Sequence, residues 1–245
     1  TKLLLKDKDI KLLDDDYLLD EVLGLVEFPN VLIGNIDKQF MNLPKEVLTT
    51  AMKVHQKYFS IVDDKNNLAP KFLFVSNTIP KKERDKSIIE GNERVLKARL
   101  SDANFFWKTD TSTKIENFND KLKKVLFYEG LGSLHDKTIR LSAVSKYFSS
   151  LFNVDVSLAR EACILSKFDL VSEMVGEFPE LQGIMGGYYT KLNGKPNEIS
   201  NAIFDQYKPK GISNDMPKTK LGCMLSMVDN IDNLTGFFII NKKPS

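Results

Sequence analysis

The sequence predicts an α+β part followed by an all-α part, so that the chain is predominantly helical overall. Two short β-branched and aromatic runs, at residues 58–62 and 72–75, flank the polar segment 63–67, which is typical of a β-hairpin. From about residue 82 onward, apolar residues recur every three or four positions, as they do in helices that pack on a core. We therefore predict an α+β module over residues 1–115 and an all-α domain over residues 116–245.

The first part contains signals for three helices besides the hairpin, which we place around residues 57–76. The acidic run Asp14–Asp16 precedes apolar residues at 18–23 and indicates a helix start. Pro44 suits the first position of a second helix. The apolar stripe from Ile88 to Phe106 predicts a long helix over about residues 84–107.

The second part is divided by glycine, proline and capping residues. A short helix is predicted to end at about Phe127, because Gly130 and Gly132 follow it. Ser133 and Asp136 form a capping-box pattern that predicts the start of the next helix. Four more helices are predicted near residues 156–168, 180–192, 196–207 and 217–238.

The composition limits the classes of protein to which the chain can belong. The chain is 42% hydrophobic and 28% charged, which is the balance of a globular protein. The net charge is only +2, so any RNA contact depends on local patches. Two cysteines among apolar neighbours suggest a reduced, cytoplasmic protein, and the apolar run 234–240 is too short to span a membrane. Because the chain opens on Thr1-Lys2 and closes on Pro244-Ser245, we expect further sequence on both sides.

No catalytic motif stands out. The sequence has two histidines, no phosphate-binding loop, no dinucleotide-binding glycine pattern and no nucleophile elbow. The two cysteines stand apart from each other and from the histidines, which argues against a zinc site.

Acidic residues on apolar segments form the first candidate functional site. Asp169 ends one apolar segment, and Asp229 and Asp232 share one face of another helix. They point either to a metal or phosphate site or to a structural ion pair with Lys167 or Arg140. The ion pair is favoured because no histidine accompanies Asp169.

Two further segments leave alternatives open. The glycine-rich segment 173–186, with Gln182 inside it and Tyr188 just beyond, is either a contact surface for RNA or a subunit, or a tight helix–loop–helix junction. On the long helix, three cations alternate with Glu90 and Glu93, which fits either a solvated face or a phosphate contact. These three cations are Arg94, Lys97 and Arg99.

A series of sequence blocks carries a family resemblance. The blocks occur in this order: Leu25–Pro29, Leu43–Leu48, Met52–Phe59, Phe74–Asn77, Glu90–Ala103, Asp169–Gly186 and Asp229–Gly236. In these blocks the chain resembles the beta subunit of the bacterial two-chain glycyl-tRNA synthetase, over roughly residues 20–245. That beta chain is longer, so the resemblance implies an internal fragment.

The resemblance implies a supporting role in glycyl-tRNA synthesis. In this family the chemistry belongs to the alpha subunit, through which the whole enzyme uses ATP and Mg²⁺, and two alpha chains assemble with two beta chains. The beta chain helps to position tRNA(Gly). We therefore expect a cytoplasmic chain that contacts the alpha subunit and tRNA, without a membrane, a bound cofactor, a metal or a catalytic residue of its own. The candidate tRNA or subunit contacts are Arg94, Lys97, Arg99, Arg140, Lys167, Gln182 and Tyr188.

The helical second half also resembles the HD-type helical domain of this family. In metal-dependent HD phosphohydrolases a histidine precedes the central aspartate, but here Phe168 precedes Asp169. Asp229 matches the late aspartate, and His135 matches at best the early histidine. The resemblance thus implies a degenerate HD-like domain. A metal-dependent HD-type phosphohydrolase is the alternative function, and a scaffold without RNA contact is a third.

Overall fold

The computed structural model describes residues 10–211 and 215–242, which form a mixed, mostly helical structure. This confirms the predominantly helical α+β class. The predictions about the two ends of the chain, at residues 1–2 and 244–245, lie outside the described residues. The chain divides into two compact units, Thr1–Trp107 and Lys108–Ser245, whereas the sequence placed the boundary at residues 115/116.

The first unit contains a four-stranded antiparallel sheet in the order β1-β3-β4-β2. The strands are β1 (Ile10–Leu12), β2 (Pro29–Asn35), β3 (Phe59–Asp63) and β4 (Leu68–Asn77). The β3–β4 pairing confirms the predicted hairpin, but β1 and β2 were not predicted. In β2 the odd and even residues differ in burial, and the apolar run at 31–33, with the β-branched residues Val31 and Ile33, is the signal that identifies it.

Among the described residues of the first part of the chain, three segments form α-helices, and Lys38–Asn42 forms a 3-10 helix. The α-helices are α1 (Asp16–Leu23), α2 (Lys45–Gln56) and α3 (Lys82–Ser112). Helix α1 buries Leu18 and Val22 against Phe59, Ile61 and Leu73 of the sheet. Helix α3 extends beyond the predicted range of 84–107, and near its end the Ser112 hydroxyl donates to the Thr109 carbonyl oxygen at 2.8 Å.

The other side of β4 carries an aromatic group. The rings of Tyr58, Phe72 and Phe74 lie with their centroids 4.6–5.7 Å apart. Gly34 of β2 pairs with Phe72, and a Cβ at Gly34 would lie 2.4 Å from a carbon of that ring. The glycine is therefore required by the close approach of the ring.

The second unit is mainly helical. Its helices are α4 (Ile115–Leu122), α5 (Leu134–Phe152), α6 (Val156–Ile164), α7 (Glu173–Glu177), α8 (Ile184–Leu192), α9 (Asn197–Asp205) and α10 (Lys220–Ile239). Two 3-10 turns, Phe168–Val171 and Pro179–Leu181, separate α6, α7 and α8. Helix α10 packs against α5 and α9. The predicted capping box is confirmed, since Ser133 and Asp136 bond reciprocally at the start of α5. The similarity to HD domains remains a prediction.

The all-α prediction for the second part is wrong at one place. The helix predicted to end at about Phe127 stops at Leu122, and a small hairpin follows, made of β5 (Leu126–Tyr128) and β6 (Gly132–Ser133). Gly130 and Gly132 both have positive φ, at 84° and 80°, so they form a tight turn between strands. The strand residue Tyr128 packs edge-on against Phe237 of α10 at 5.0 Å, which stabilises the hairpin.

Replacing Gly34 by alanine is expected to lower the free energy of unfolding by about 1–3 kcal/mol, because the added methyl group overpacks the Phe72 ring. Gly91→Ala is the matched control. Gly91 lies in α3 with no atom within 4 Å of its Cβ position, and alanine there should stabilise by about 0.5–1 kcal/mol. Urea unfolding of both variants measures the difference. A Gly34→Ala variant as stable as the parent would contradict the role of the ring.

Candidate functional site

Two lysines lie inside the helical unit and meet one aspartate. Lys137 belongs to α5, and Lys167 comes just before the 3-10 turn Phe168–Val171. Each lysine is only 2% exposed. Both reach Asp229 of α10, whose two oxygens lie 2.9 Å and 2.8 Å from the Lys137 and Lys167 Nζ atoms respectively. We call this group the lysine–aspartate centre.

Lys137 is fully engaged by its neighbours. Besides Asp229, its ammonium group lies 2.9 Å from Asp232 Oδ2 and 2.7 Å from Asn233 Oδ1. The same Nζ atom lies 4.7 Å from the centroid of the Phe127 ring. The ammonium group donates hydrogen bonds to Asp232 and Asn233 and forms an ion pair with Asp229 Oδ1, and the ring face adds a favourable cation–π contact.

Lys167 has an equivalent set of partners. Its ammonium group donates to Asp229 Oδ2, to Gln206 Oε1 at 3.1 Å and to the Tyr207 hydroxyl oxygen at 3.2 Å. It also lies 4.3 Å from the Tyr207 ring centroid. The lysine–aspartate centre therefore contains two buried cations, each held by three oxygens and an aromatic ring.

Arg140 lies at the solvent-exposed side of the centre. It binds Asp232 through two hydrogen bonds, Nε to Oδ1 at 2.7 Å and a terminal nitrogen to Oδ2 at 3.1 Å, and it donates to the Leu131 carbonyl oxygen at 2.9 Å. The predicted ion pairing is confirmed, since Lys167 pairs with Asp229 and Arg140 pairs with Asp232. Lys137 was missed, because a single lysine on a helix with mixed polarity gives no signal that it is buried.

The surrounding charges decide the ionisation of the two carboxyl groups. Burial by itself raises the pKa of Asp229, but Lys167 and Lys137 more than offset it, so the pKa lies below its usual value. Burial also raises the pKa of Asp232, and Arg140 and Lys137 lower it below its usual value. Both groups are therefore carboxylates at neutral pH.

Asp169 lies in a different environment from the centre. It is completely buried, and its Oδ2 atom accepts hydrogen bonds from the backbone N–H groups of Gly183 at 2.6 Å and Gly186 at 3.0 Å. Its Oδ1 atom has no hydrogen-bond partner among the described residues. Burial raises the pKa of Asp169 to about 6, although the two amides and Lys167 act in the opposite direction.

Two glycines of segment 173–186, Gly183 and Gly186, donate their backbone N–H groups to this carboxylate. Gly183 has a φ of 79°, and a Cβ at Gly186 would lie 3.0 Å from the Asp169 Oδ2 atom. The segment is therefore a tight junction in which Asp169 binds the start of α8. Gln182 and Tyr188 are half-buried there, and Tyr188 packs edge-on against Phe204. Whether this junction also contacts RNA or a subunit stays a prediction.

Asp110 is a second buried carboxylate that sequence reasoning missed. It accepts hydrogen bonds from the backbone N–H groups of Glu173 at 3.0 Å and Met174 at 2.9 Å, and from the Tyr189 hydroxyl at 2.8 Å. It thereby satisfies the free amides at the start of α7. No local pattern around Asp110 indicates this long-range role.

The predicted HD positions do not fit a divalent metal. No group of three or more histidine, cysteine, aspartate or glutamate side chains converges in the part of the chain that the structure describes. Both Asp229 oxygens already face ammonium groups, so a metal ion there would meet like charges at close range. Asp169 directs one oxygen to backbone amides, and His135 is a half-buried residue of the first turn of α5.

The predicted contact residues fall into separate places. Lys167 is buried in the centre, so its side chain is not positioned to contact tRNA, contrary to the prediction. Arg140 is the outer member of that network. On α3, Arg94 and Lys97 are exposed and Arg99 is half-buried. The cleft beside them has mixed charge, because Lys97 pairs with Asp37 at 3.2 Å and Glu93 accepts from the Asn35 amides.

No helix among the described residues has the length and hydrophobicity needed to cross a bilayer.

Comparison with known proteins gives consistent matches. The family model described as glycyl-tRNA synthetase beta subunit matches residues 2–245. The chain is 44% identical to the glycine–tRNA ligase beta subunit of Marinobacter nauticus and 45% identical to that of Chromohalobacter salexigens. Each alignment covers 94% of this chain and 33% of the relative. It is 44% identical to the Rickettsia felis protein of the same description, over 97% of this chain and 35% of the relative.

These matches place the chain among the subunits of aminoacyl-tRNA synthetases. Within that class, it belongs to the family of glycyl-tRNA synthetase beta subunits, as the sequence blocks implied. The chain spans about a third of the length of the curated relatives that it matches.

Lys167→Met is expected to lower the free energy of unfolding by about 3–5 kcal/mol, because it removes one partner of a buried charge and leaves Asp229 partly unpaired. Lys146→Met on the exposed surface of α5 is the matched control and should change stability by no more than about 0.5 kcal/mol. Urea unfolding of both variants tests this. If Lys167→Met is as stable as Lys146→Met, removing one partner of the buried ion pair does not destabilise the fold as expected.

The pH dependence of stability reports on Asp169. Its pKa is raised from 3.8 to about 6, so the folded state holds the proton more tightly than the unfolded state does. Its contribution to stability is therefore fully present below about pH 4 and is lost as the pH rises through 6. In Asp169→Asn the side-chain oxygen still accepts from both glycine amides, but nothing titrates. Between pH 4 and 7 the parent should therefore lose on the order of a few kcal/mol relative to this variant. Parallel pH profiles from urea unfolding would contradict the raised pKa.

Proposed function

We propose that the chain is part of a glycine–tRNA ligase beta subunit that supports ATP-dependent synthesis of glycyl-tRNA(Gly). Family membership over residues 2–245 carries this proposal. In it, two alpha and two beta chains assemble in the cytoplasm, and the alpha subunit holds the aminoacylation site with its ATP and Mg²⁺. This part of the beta chain contacts tRNA, the alpha subunit or both.

Two features of the described residues support a non-catalytic role. The lysine–aspartate centre neutralises its own carboxylates with two ammonium groups, so it offers no open oxygen ligands to a metal. A hydrolytic metal site needs several convergent ligands together with an open coordination position. The alternative, a metal-dependent HD-type phosphohydrolase, lacks a ligand set among the described residues.

Charging assays with purified alpha subunit test the proposal. Glycine- and tRNA-dependent charging should require full-length beta chain in addition to alpha. If no beta form supports charging, while the 245-residue chain hydrolyses phosphoesters when metal is added, the phosphohydrolase alternative replaces this proposal.

Arg94 on α3 offers the sharpest test of tRNA contact. Arg94 is exposed and has no ion pair among the described residues, unlike Lys97. In the full-length beta chain with alpha, Arg94→Glu should weaken tRNA binding about five- to tenfold and reduce the slope of log K against log salt by about 1. Lys146→Glu makes a similar charge change on α5 and is the control. If both variants bind tRNA like the parent, the α3 face is a solvated surface.

A further inference from the structure

Helix α1 has apolar side chains beyond the face that it buries. Leu18 and Val22 pack into the sheet core, yet Tyr17, Leu19 and Leu23 are exposed. A surface helix of a globular protein normally presents polar residues on its outer side, and a helix that is apolar all round is normally covered. The outer side of α1 therefore exposes three large apolar side chains, Tyr17, Leu19 and Leu23, next to its acidic residues.

The loop after α1 continues this apolar surface on a fixed backbone. Leu25 and Phe28 are 63% and 60% exposed. The Leu25 N–H donates to the Val22 carbonyl oxygen at 3.0 Å, and the Phe28 N–H donates to Asn77 Oδ1 at 2.9 Å. The Asn77 oxygen also accepts from the Glu27 N–H at 3.1 Å. The loop thus holds an aromatic ring outward, and rigid aromatic residues are typical anchors of protein interfaces.

Acidic residues border the same surface. Asp16, Asp20 and Glu27 are exposed and have no ion pair among the described residues. The lysines that approach α1 do not compensate them, because Lys53 pairs with Asp15 at 2.5 Å and Lys57 pairs with Glu21 at 2.7 Å. This negative charge repels RNA phosphates and anionic lipid headgroups alike. The complementary partner is a protein segment whose apolar side chains are flanked by lysine or arginine.

We propose that this surface, formed by Tyr17, Leu19, Leu23, Leu25 and Phe28, is the docking site for the alpha subunit, through an apolar segment bordered by basic residues. The inference rests on the proposed function, which offers a protein subunit and a tRNA as partners. The acidic border selects the protein. It also separates this surface from α3, where Arg94 is the candidate contact for tRNA.

The test uses the full-length beta chain and purified alpha subunit in isothermal titration calorimetry. Leu19→Ser/Leu23→Ser should weaken alpha binding at least tenfold, since hot-spot apolar side chains dominate binding energy. Tyr147→Ser/Leu151→Ser is the matched control, because it removes another pair of exposed apolar residues, four positions apart, on α5. The control should bind alpha within twofold of the parent.

A second variant changes only surface charge, so that a loss of alpha binding cannot be attributed to loss of folding. Asp20→Lys/Glu27→Lys changes two exposed side chains outside the first turn of α1, so its Tm should match that of the parent, while alpha binding weakens at least fivefold and becomes less sensitive to salt. Weakened alpha binding by both variants, with unchanged tRNA binding, supports the docking site.

Other outcomes overturn it. Alpha affinity within twofold of the parent in either variant means that alpha does not dock there, and a lowered Tm with unchanged affinity means that another part of the beta chain covers the surface. Loss of tRNA binding instead of alpha binding would also reject it. If the parent beta chain itself fails to bind alpha, the proposed function fails first, which is distinguishable from failure of this inference.

Discussion

The helical unit depends on two ammonium groups that meet a single carboxylate away from water. Lys137 comes from α5, Lys167 from the segment after α6, and Asp229 from α10, so one ionic contact joins three separate parts of the chain. Each lysine has three oxygen partners and an aromatic ring, which offsets the cost of removing a charge from water. Removal of one partner is expected to be strongly destabilising, because it leaves a buried charge unpaired.

The two buried aspartates outside this centre bind backbone amides instead of ammonium groups. Asp110 and Asp169 each bind the free backbone amides at the start of a helix, α7 and α8 respectively. Such amides cannot be left unpaired in a core, and a carboxylate is their strongest acceptor. The close approach of Asp169 to the backbone accounts for Gly186 in the densest sequence block. A block that stands out in sequence can thus have a purely structural explanation alongside any role in binding.

The first unit has two surfaces that differ in polarity and charge. The outer side of α1 is apolar with an acidic border, and α3 carries its cations among glutamates. We propose the first surface for contact with a protein subunit and the second for contact with a phosphate backbone. In the proposed enzyme, the beta chain would thus separate subunit contact from tRNA contact.

Much of the local structure follows from the sequence alone. The capping box at Ser133, the helix that follows Pro44 and the β3–β4 hairpin were predictable, because each depends on a few neighbouring residues. The paired charges of Lys167 and Arg140 were also anticipated, since an acid on an apolar helix requires a partner. The family was recognisable from ordered blocks of residues.

Tertiary structure decided what depends on distant residues. It showed that Lys137 is buried, that Asp110 binds the start of α7, and that residues 126–133 form a hairpin instead of the end of a helix. Periodicity cannot reveal these features, because a lysine, an aspartate or a short aromatic run looks the same whether its partner lies nearby in space or is absent. For the first two features the partner lies at least 60 positions away in the chain, Asp229 for Lys137 and Glu173 for Asp110, and only folding brings them together.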